Sequence, residues 1–257
     1  MNRLLAFVLL TVSIVTSSCG VTVRVMTYNI HHGEGIDKRL DLERIAAVIR
    51  DADVDIVALN EVDKGTSRTE QRDLAAELAK LCGMTAVFER NIDFKGGEYG
   101  NAVLTRFPVS WHRNHHYEMV RPGEQRGLLQ VGLEVSGREL SFLVTHIDHR
   151  RDDVERVSNV AEILAIIGEA SKKLIILCGD FNDTPGSRTH TGLVRRFVDC
   201  WAVVGHDVGY TYPSPAPRRR IDYIFVPKGS GITPLSATIP ETLASDHLPL
   251  VVELELR

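Results

Sequence analysis

The sequence predicts an α/β domain, and three observations carry that expectation. The first is the stretch Leu174-Ile175-Ile176-Leu177-Cys178-Gly179-Asp180-Phe181-Asn182-Asp183-Thr184-Pro185, in which an unbroken apolar run empties abruptly into Gly-Asp. Such a run reads as a buried strand opening into a loop, the place where α/β enzymes put their reactive groups. The second is that strand-like runs recur between stretches of helical periodicity along the chain. The third is size: 257 residues, 44% hydrophobic and 25% charged, with no linker-like stretch in the middle, suit one core-forming domain.

The first residues stand apart. Asn2-Arg3 is a short basic lead, Leu4 to Val15 is apolar, and Thr16-Ser17-Ser18-Cys19-Gly20 is a run of small residues. This pattern predicts an export signal over residues 1–19, with an apolar core too short for a lasting membrane span. Small residues leading into Cys19 also resemble a lipoprotein processing box, although Thr16 stands where that box prefers Leu, so a lipidated Cys19 and plain secretion both stay open. Periplasmic, membrane-anchored or secreted destinations follow, with the domain itself over residues 21–257. The chain is expected to be a monomer.

In the domain, Val21 to Ile30 reads as a first strand ending at Asn29, followed by the polar loop His31-His32-Gly33-Glu34-Gly35. Asp41 is a plausible N-cap, and Leu42, Ile45, Ala46 and Ile49 fall on one helical face. Asp53 to Asn60 is a second buried strand opening into Glu61-Val62-Asp63. Gln71 to Cys82 reads as a helix stopped by Gly83, and Tyr99 to Thr105 as a strand. Gly127 to Val135 and Glu139 to Thr145, joined by Ser136-Gly137, predict a hairpin whose second strand ends in His146. Asp152 to Ala170 is an amphipathic helix feeding the Leu174 run, and Ile221 to Val226 and Leu248 to Leu256 are late strands. The segment from Pro213 to Pro217 is read as a surface loop on the rim of a site.

Charge and cysteines exclude some classes. A formal charge of −4 and a pI near 6.2 argue against a surface coated for long nucleic acid. Cys82, Cys178 and Cys200 match no zinc spacing and are odd in number, so disulfides do not define the fold.

The polar residues at strand ends carry the functional reading. Asn29, Glu61, His146, Asp180 and Asn182 sit at strand exits, and Asp246-His247 sits before the last strand. A single acid in such a place is usually a turn residue; a whole set able to bind hard cations or phosphate oxygens points to a site. Glu61, Asp180 and Asp246 are oxygen donors without thiolates, which suits Mg²⁺ or Mn²⁺. Phosphoester hydrolysis needs an activated water and neutralisation of charge on the phosphoryl oxygens, and Asn29, Asn182, His146 and His247 are suitable donors for the latter. Asp222 either orients His247 and favours its charged form, or pairs with one of Arg218 to Arg220.

In order, Thr27-Tyr28-Asn29, Asn60-Glu61-Val62-Asp63, Tyr99-Gly100-Asn101-Ala102, Thr145-His146, Gly179-Asp180-Phe181-Asn182, Arg220-Ile221-Asp222-Tyr223-Ile224 and Ser245-Asp246-His247-Leu248-Pro249 resemble the motifs of the endonuclease/exonuclease/phosphatase family. The resemblance spans essentially the whole domain. It implies a four-layer α/β/β/α sandwich of two mixed sheets flanked by helices, and metal-dependent cleavage of phosphoesters. It also implies roles: Glu61 as principal metal ligand with Asn29 and Asp246 beside it, Asp180 activating water, and Asn182 holding water and phosphate. His146 and His247 would stabilise the pentacovalent phosphorus with Asp222 behind His247, and Asn101 would join the substrate contacts. His31, where abasic-site nucleases of the superfamily carry an acid, and Asn60, where Gln is more usual, are departures. The first speaks against the DNA-repair branch.

Arg68, Arg126 and His149 are the side chains assigned to a second phosphate or head group. The expected substrate is a small or lipid-borne phosphoester, such as a lipid head group or an inositol phosphate. A secreted nuclease is the alternative, and a non-catalytic surface protein binding a phosphorylated ligand is the alternative of another class.

Overall fold

The computed structural model describes residues 20–168 and 174–257. The export signal with Cys19, and the far end of the helix expected over Asp152–Ala170, lie outside the described residues.

Two six-stranded mixed sheets pack face to face. The first runs in the order β11-β12-β1-β2-β4-β3 and the second β5-β6-β7-β8-β10-β9. In the first sheet the strands are β1 (Val21–Asn29), β2 (Ile56–Lys64), β3 (Thr85–Phe94), β4 (Gly97–Thr105), β11 (Ile232–Thr238) and β12 (Leu250–Leu256). The second contains β5 (Val109–His116), β6 (Gly127–Val135), β7 (Arg138–His146), β8 (Ile175–Asp180), β9 (Phe197–Asp199) and β10 (Asp222–Pro227). Helices α1 (Leu42–Asp51) and α2 (Leu74–Cys82) cover the outside of the first sheet, and α3 (Val154–Ile167) and α4 (Arg188–Val194) that of the second; α5 (Cys200–Val204) packs near the edge. The expected four-layer sandwich is therefore the observed fold.

Strand periodicity builds three apolar layers from the two sheets. Val23, Val25, Ile56, Ala58, Phe142, Val144, Ile176, Cys178, Ile224 and Val226 meet in the core between the sheets. Their neighbours in sequence, such as Met26, Tyr28, Val57 and Leu59, face α1 and α2, while Leu143, Ile175, Leu177 and Phe225 face α3 and α4. Burial of each large side chain contributes about 1.5–3 kcal/mol, so strands apolar on both faces hold the layers together.

Local signals explain the element ends. Asp41 caps α1 by accepting from the Arg44 amide, Asp73 caps α2 through the Ala76 amide, and Gly83 ends α2 in the left-handed conformation. Helix α2 begins at Leu74 instead of Gln71, because Asp73 supplies the first cap. Ser136 and Gly137 both have positive φ, and Val135 pairs with Arg138, giving the expected two-residue hairpin turn. The strands β3, β5, β9 and β11, which no apolar pattern announces, are the four sheet edges. Edge strands are half solvated, so β5, none of whose residues is fully buried, needs no apolar alternation.

Where β7 and β8 pair in parallel, Thr145 lies opposite Gly179. Gly179 has φ +141°, and a Cβ there would lie 1.8 Å from the Thr145 carbonyl oxygen. Gly179→Ala should therefore destabilise the protein by on the order of 3 kcal/mol, read as a lower denaturation midpoint with an unchanged urea m-value.

Candidate active site

The same periodicity that fills the inter-sheet core puts polar side chains at its mouth. On β1 the inward positions run Val23, Val25, Thr27, Asn29; on β2 Ile56, Ala58, Asn60; on β7 Phe142, Val144, His146. On β8 they run Ile176, Cys178, Asp180; on β10 Asp222 begins the series that continues through Ile224 and Val226. Register aligns them: Asn29 is paired with Asn60 in one sheet, and Asp180 lies between His146 and Asp222 in the other. Four strand ends and the middle of β2 thus deliver polar residues to one end of the sandwich; β2 runs on through Glu61, Val62 and Asp63 to Lys64, where the sequence predicted a loop, because Val62, Asp63 and Lys64 pair with β4 beyond the bulge.

Glu61 breaks the alternation. Following inward Asn60, it would face the helices, but the β2–β4 register shifts between Leu59 and Val62, and Glu61 takes a left-handed φ of 59°. This bulge turns its carboxylate toward Asn29, whose Nδ2 donates to Glu61 Oε1 at 3.0 Å.

The sheets are joined at the mouth by amides. Asn29 Nδ2 also donates to Asp180 Oδ2 at 3.2 Å, and Asn29 Oδ1 accepts from the His31 amide at 3.1 Å. Asn29 thus presents its NH₂ group between two carboxylates instead of an oxygen toward a cation, so service as a ligand would require its amide to turn over. Asn60 donates to Asn101 Oδ1 at 2.9 Å and to the Thr145 carbonyl at 3.0 Å, and its Oδ1 accepts from the Asp180 amide at 3.0 Å. Asn182, left-handed at φ 49°, donates its amide to Asp180 Oδ1 at 2.8 Å and its Nδ2 to the Ile147 carbonyl at 3.1 Å.

Asp222 settles the choice left open by sequence. Its Oδ2 accepts from His247 Nδ1 at 2.9 Å, whereas Arg220 donates to both oxygens of Asp199. His247 Nε2 then faces Asp180 Oδ2 at 3.7 Å. Burial alone would lower the His247 pKa, but the Asp222 carboxylate outweighs it and holds the ring up at about 10. Asp180 moves up to about 7 through burial and the nearby Asp222 charge, against the opposing pull of His247. Burial, with Arg126 and His247 nearby, pushes His146 well below its ordinary value, so its 3.6 Å approach to Asp180 joins a neutral ring to the carboxylate.

The charge pattern fits a divalent cation. Glu61, Asp180 and Asp222 converge here with Asp246 close by, against the single imidazolium of His247. Glu61 is half-buried, and Asp222 Oδ1 is buried with no hydrogen-bond partner among the described residues. Asp246 stands on the loop before β12, where Ser245 Oγ donates to it at 3.4 Å and its charge reaches His247 and Tyr28.

The residues assigned to a second phosphate are divided by the structure. Arg68 is locked onto buried Asp63 through Nε at 2.6 Å and Nη2 at 2.8 Å, with its guanidinium over the Phe94 ring, so its charge is largely committed within the protein. Arg126 and His149 meet each other at 3.1 Å; Arg126 is buried and paired with Glu124, while His149 is exposed. Asn101 lies on the inward face, and its Nδ2 is buried without a partner among the described residues. The Pro213–Pro217 loop does border the site: the Ser214 amide donates to the Asp246 carbonyl at 2.8 Å, and the Tyr212 ring lies 4.7 Å from that of His247. Asn60 is the residue that sequence reading passed over as a site component. Its inward parity with Ala58 was visible; its partners, far away in sequence, were not.

A model of the endonuclease/exonuclease/phosphatase family matches residues 26–247. The chain belongs to that family. Members hydrolyse phosphoesters and in general depend on a divalent metal. The uncharacterized protein YbhP of Escherichia coli (strain K12) is 27% identical over 249 residues, covering 91% of this chain and 96% of that protein. A 5'-tyrosyl-DNA phosphodiesterase of Caenorhabditis elegans is 29% identical over 202 residues, covering 73% of this chain and 50% of the other. Mannosyl-6-phosphatase Bt3783 of Bacteroides thetaiotaomicron VPI-5482 shares the fold with a TM-score of 0.75 at 18% identity, covering 90% of this chain and 99% of that one.

Two outcomes follow from this geometry. Asn60→Leu strands the Asn101 oxygen, the Thr145 carbonyl and the Asp180 amide, and should lower unfolding free energy by on the order of 3 kcal/mol in denaturant titration. The His247 pKa is raised above its unfolded value near 6.5, so the pairing with Asp222 stabilises the fold fully below that pH and fades as pH rises through about 10. In the metal-free protein, the stability gap between wild type and Asp222→Asn should close across that window, and ¹⁵N NMR should show a doubly protonated His247 ring at pH 8 in wild type alone.

Proposed function

We propose that the protein is a divalent-metal-dependent phosphoester hydrolase acting on a small or lipid-borne phosphoester outside the cytoplasm. The observation that carries this reading is the setting of Asp180. It is buried at the mouth of the sandwich, with Asn29 and the Asn182 amide on its oxygens and the His247 ring facing it, while Glu61 stands across Asn29.

With a pKa near 7, Asp180 can take a proton from water at neutral pH, as a general base requires. A divalent cation on Glu61, with Asp246 completing its oxygen donors, would supply charge neutralisation for a phosphoryl group; Mg²⁺ or Mn²⁺ is the expectation from those oxygens. The charged His247 donates from Nε2 toward the same space, and Asp222 fixes that ring and its proton. Neutral His146 and the Asn182 side-chain NH₂ are further donors to growing negative charge on phosphoryl oxygens.

The acidic chain and the small phosphosugar substrate named for the Bacteroides neighbour support a small substrate. The tyrosyl-DNA activity named for the C. elegans relative supports a nucleic-acid alternative. A panel of plasmid DNA, RNA, a sphingomyelin analogue, inositol phosphates, sugar phosphates and bis-p-nitrophenyl phosphate with Mg²⁺ or Mn²⁺ separates the two. Asp180→Asn and His247→Gln should each lower kcat on the best substrate by roughly 10²–10⁴ with circular dichroism unchanged. Undiminished hydrolysis in both variants would reject these roles, and tight binding of a phosphorylated compound without turnover of any panel member would indicate a binding protein.

A further inference from the structure

Beside the strand-end residues, the loop after β1 brings a second set of ligating side chains to Glu61. His31, His32 and Glu61 each offer a ligand atom within 4.8 Å of the others, and all three residues are half-buried. Two neighbouring histidines ordinarily diverge into solvent. Here both adopt a left-handed backbone, with φ of 45° and 46°, and the rings meet edge to face at 4.5 Å.

The remaining ring nitrogens distinguish this cluster from a chance polar loop. His31 Nδ1 lies 3.2 Å from the Glu34 carbonyl oxygen. A carbonyl only accepts, so the His31 proton sits on Nδ1 and the Nε2 lone pair is left free. His32 Nε2 lies 3.8 Å from the Glu34 carboxylate, while His32 Nδ1 is buried with no hydrogen-bond partner among the described residues. One residue, Glu34, thus stands behind both rings: its carbonyl accepts from His31, and its carboxylate lies near His32 at an ion-pair distance. Metal-binding imidazoles are supported in this way: the outer nitrogen is held and the inner one left bare. The other tight cluster, Asp180, Asp222 and His247, lacks this property, because both His247 nitrogens face carboxylates.

Two imidazoles and one carboxylate make a borderline donor set, poorly matched to Mg²⁺ and well matched to Zn²⁺ and its neighbours among the transition ions. Three protein ligands also leave a coordination position open. We infer that His31, His32 and Glu61 form a binding site for a divalent transition ion of the Zn²⁺ class at the Glu61 end of the cleft. The site shares Glu61 with the hydrolytic reading above, but it is defined by donors on the loop and is tested by metal binding without any turnover.

Co²⁺ is the probe, because its visible absorption reports low coordination number and nitrogen ligation. Added to the metal-free full-length protein, Co²⁺ should give intense d–d bands that Zn²⁺ abolishes and an equal concentration of Mg²⁺ does not. The His31→Asn, His32→Asn double variant removes both imidazoles while keeping a residue type that tolerates the left-handed backbone. It should weaken Co²⁺ binding by roughly 10-fold or more, and Glu34→Gln by about 10-fold. Wild-type protein without these bands, a double variant with an unchanged spectrum, or displacement by an equal concentration of Mg²⁺ would each overturn the site. Should the double variant fold poorly, Zn²⁺ titration of ¹⁵N-histidine-labelled wild type decides: the ring nitrogens of His31 and His32 must move at one equivalent, and perturbation confined to other histidines refutes the assignment.

Discussion

The cross-sheet amide of Asn60 is the contact around which the mouth of the sandwich is arranged. It leaves β2 in the first sheet and reaches the Thr145 carbonyl on β7 and the Asp180 amide on β8, in the second. Two apolar sheets pressed together have many registers of nearly equal hydrophobic energy, since burial is not directional. Directional hydrogen bonds from one amide select among them, and through the Asp180 backbone they also place the carboxylate. The 2.9 Å bond to Asn101 extends the same network across β4.

Above this amide layer lies a cluster of charges that the fold by itself only partly balances. His247 is held charged by Asp222 and faces Asp180, whose own ionisation is resisted by burial. Buried carboxylates lacking full compensation are unfavourable, and the protein keeps several in one place. A bound cation would relieve such tension, and the raised pKa of Asp180 fits the proton acceptor proposed above. The same arrangement that is a burden on stability is thus what gives the site its chemical reach.

The local irregularities of backbone cluster here too. Glu61, Asn182, His31 and His32 all have positive φ; Glu61 sits at the bulge inside β2, and the others lie just past the ends of β8 and β1. The other register shifts fall on the edge strands β3, β5 and β11, between Arg90 and Ile92, Val109 and Trp111, and Pro234 and Ser236. The bulge at Glu61 is the departure that turns a residue destined for the helical layer into part of the mouth. Glu34 stands behind the two histidines, its carbonyl 3.2 Å from His31 Nδ1 and its carboxylate 3.8 Å from His32 Nε2.

Much of this protein was determined by sequence alone. Apolar runs on both faces fixed the central strands, Asp41 and Gly83 marked helix ends, and the polar residues following the apolar runs marked Asn29, Glu61, His146, Asp180 and His247 as candidates, which the structure brings to one mouth. These signals are local: a buried strand must be apolar, and a helix end must satisfy its amides. The edge strands β3, β5, β9 and β11 were silent because a half-solvated strand carries no such pattern. Only the tertiary structure decided that Asp222 serves His247 and not an arginine, that Arg68 is spent on Asp63, and that Asn60 ties the sheets together. Each of those outcomes depends on which groups meet across strands distant in sequence, and a hydrogen bond or ion pair is chosen by distance and direction in space, which no single stretch of chain records.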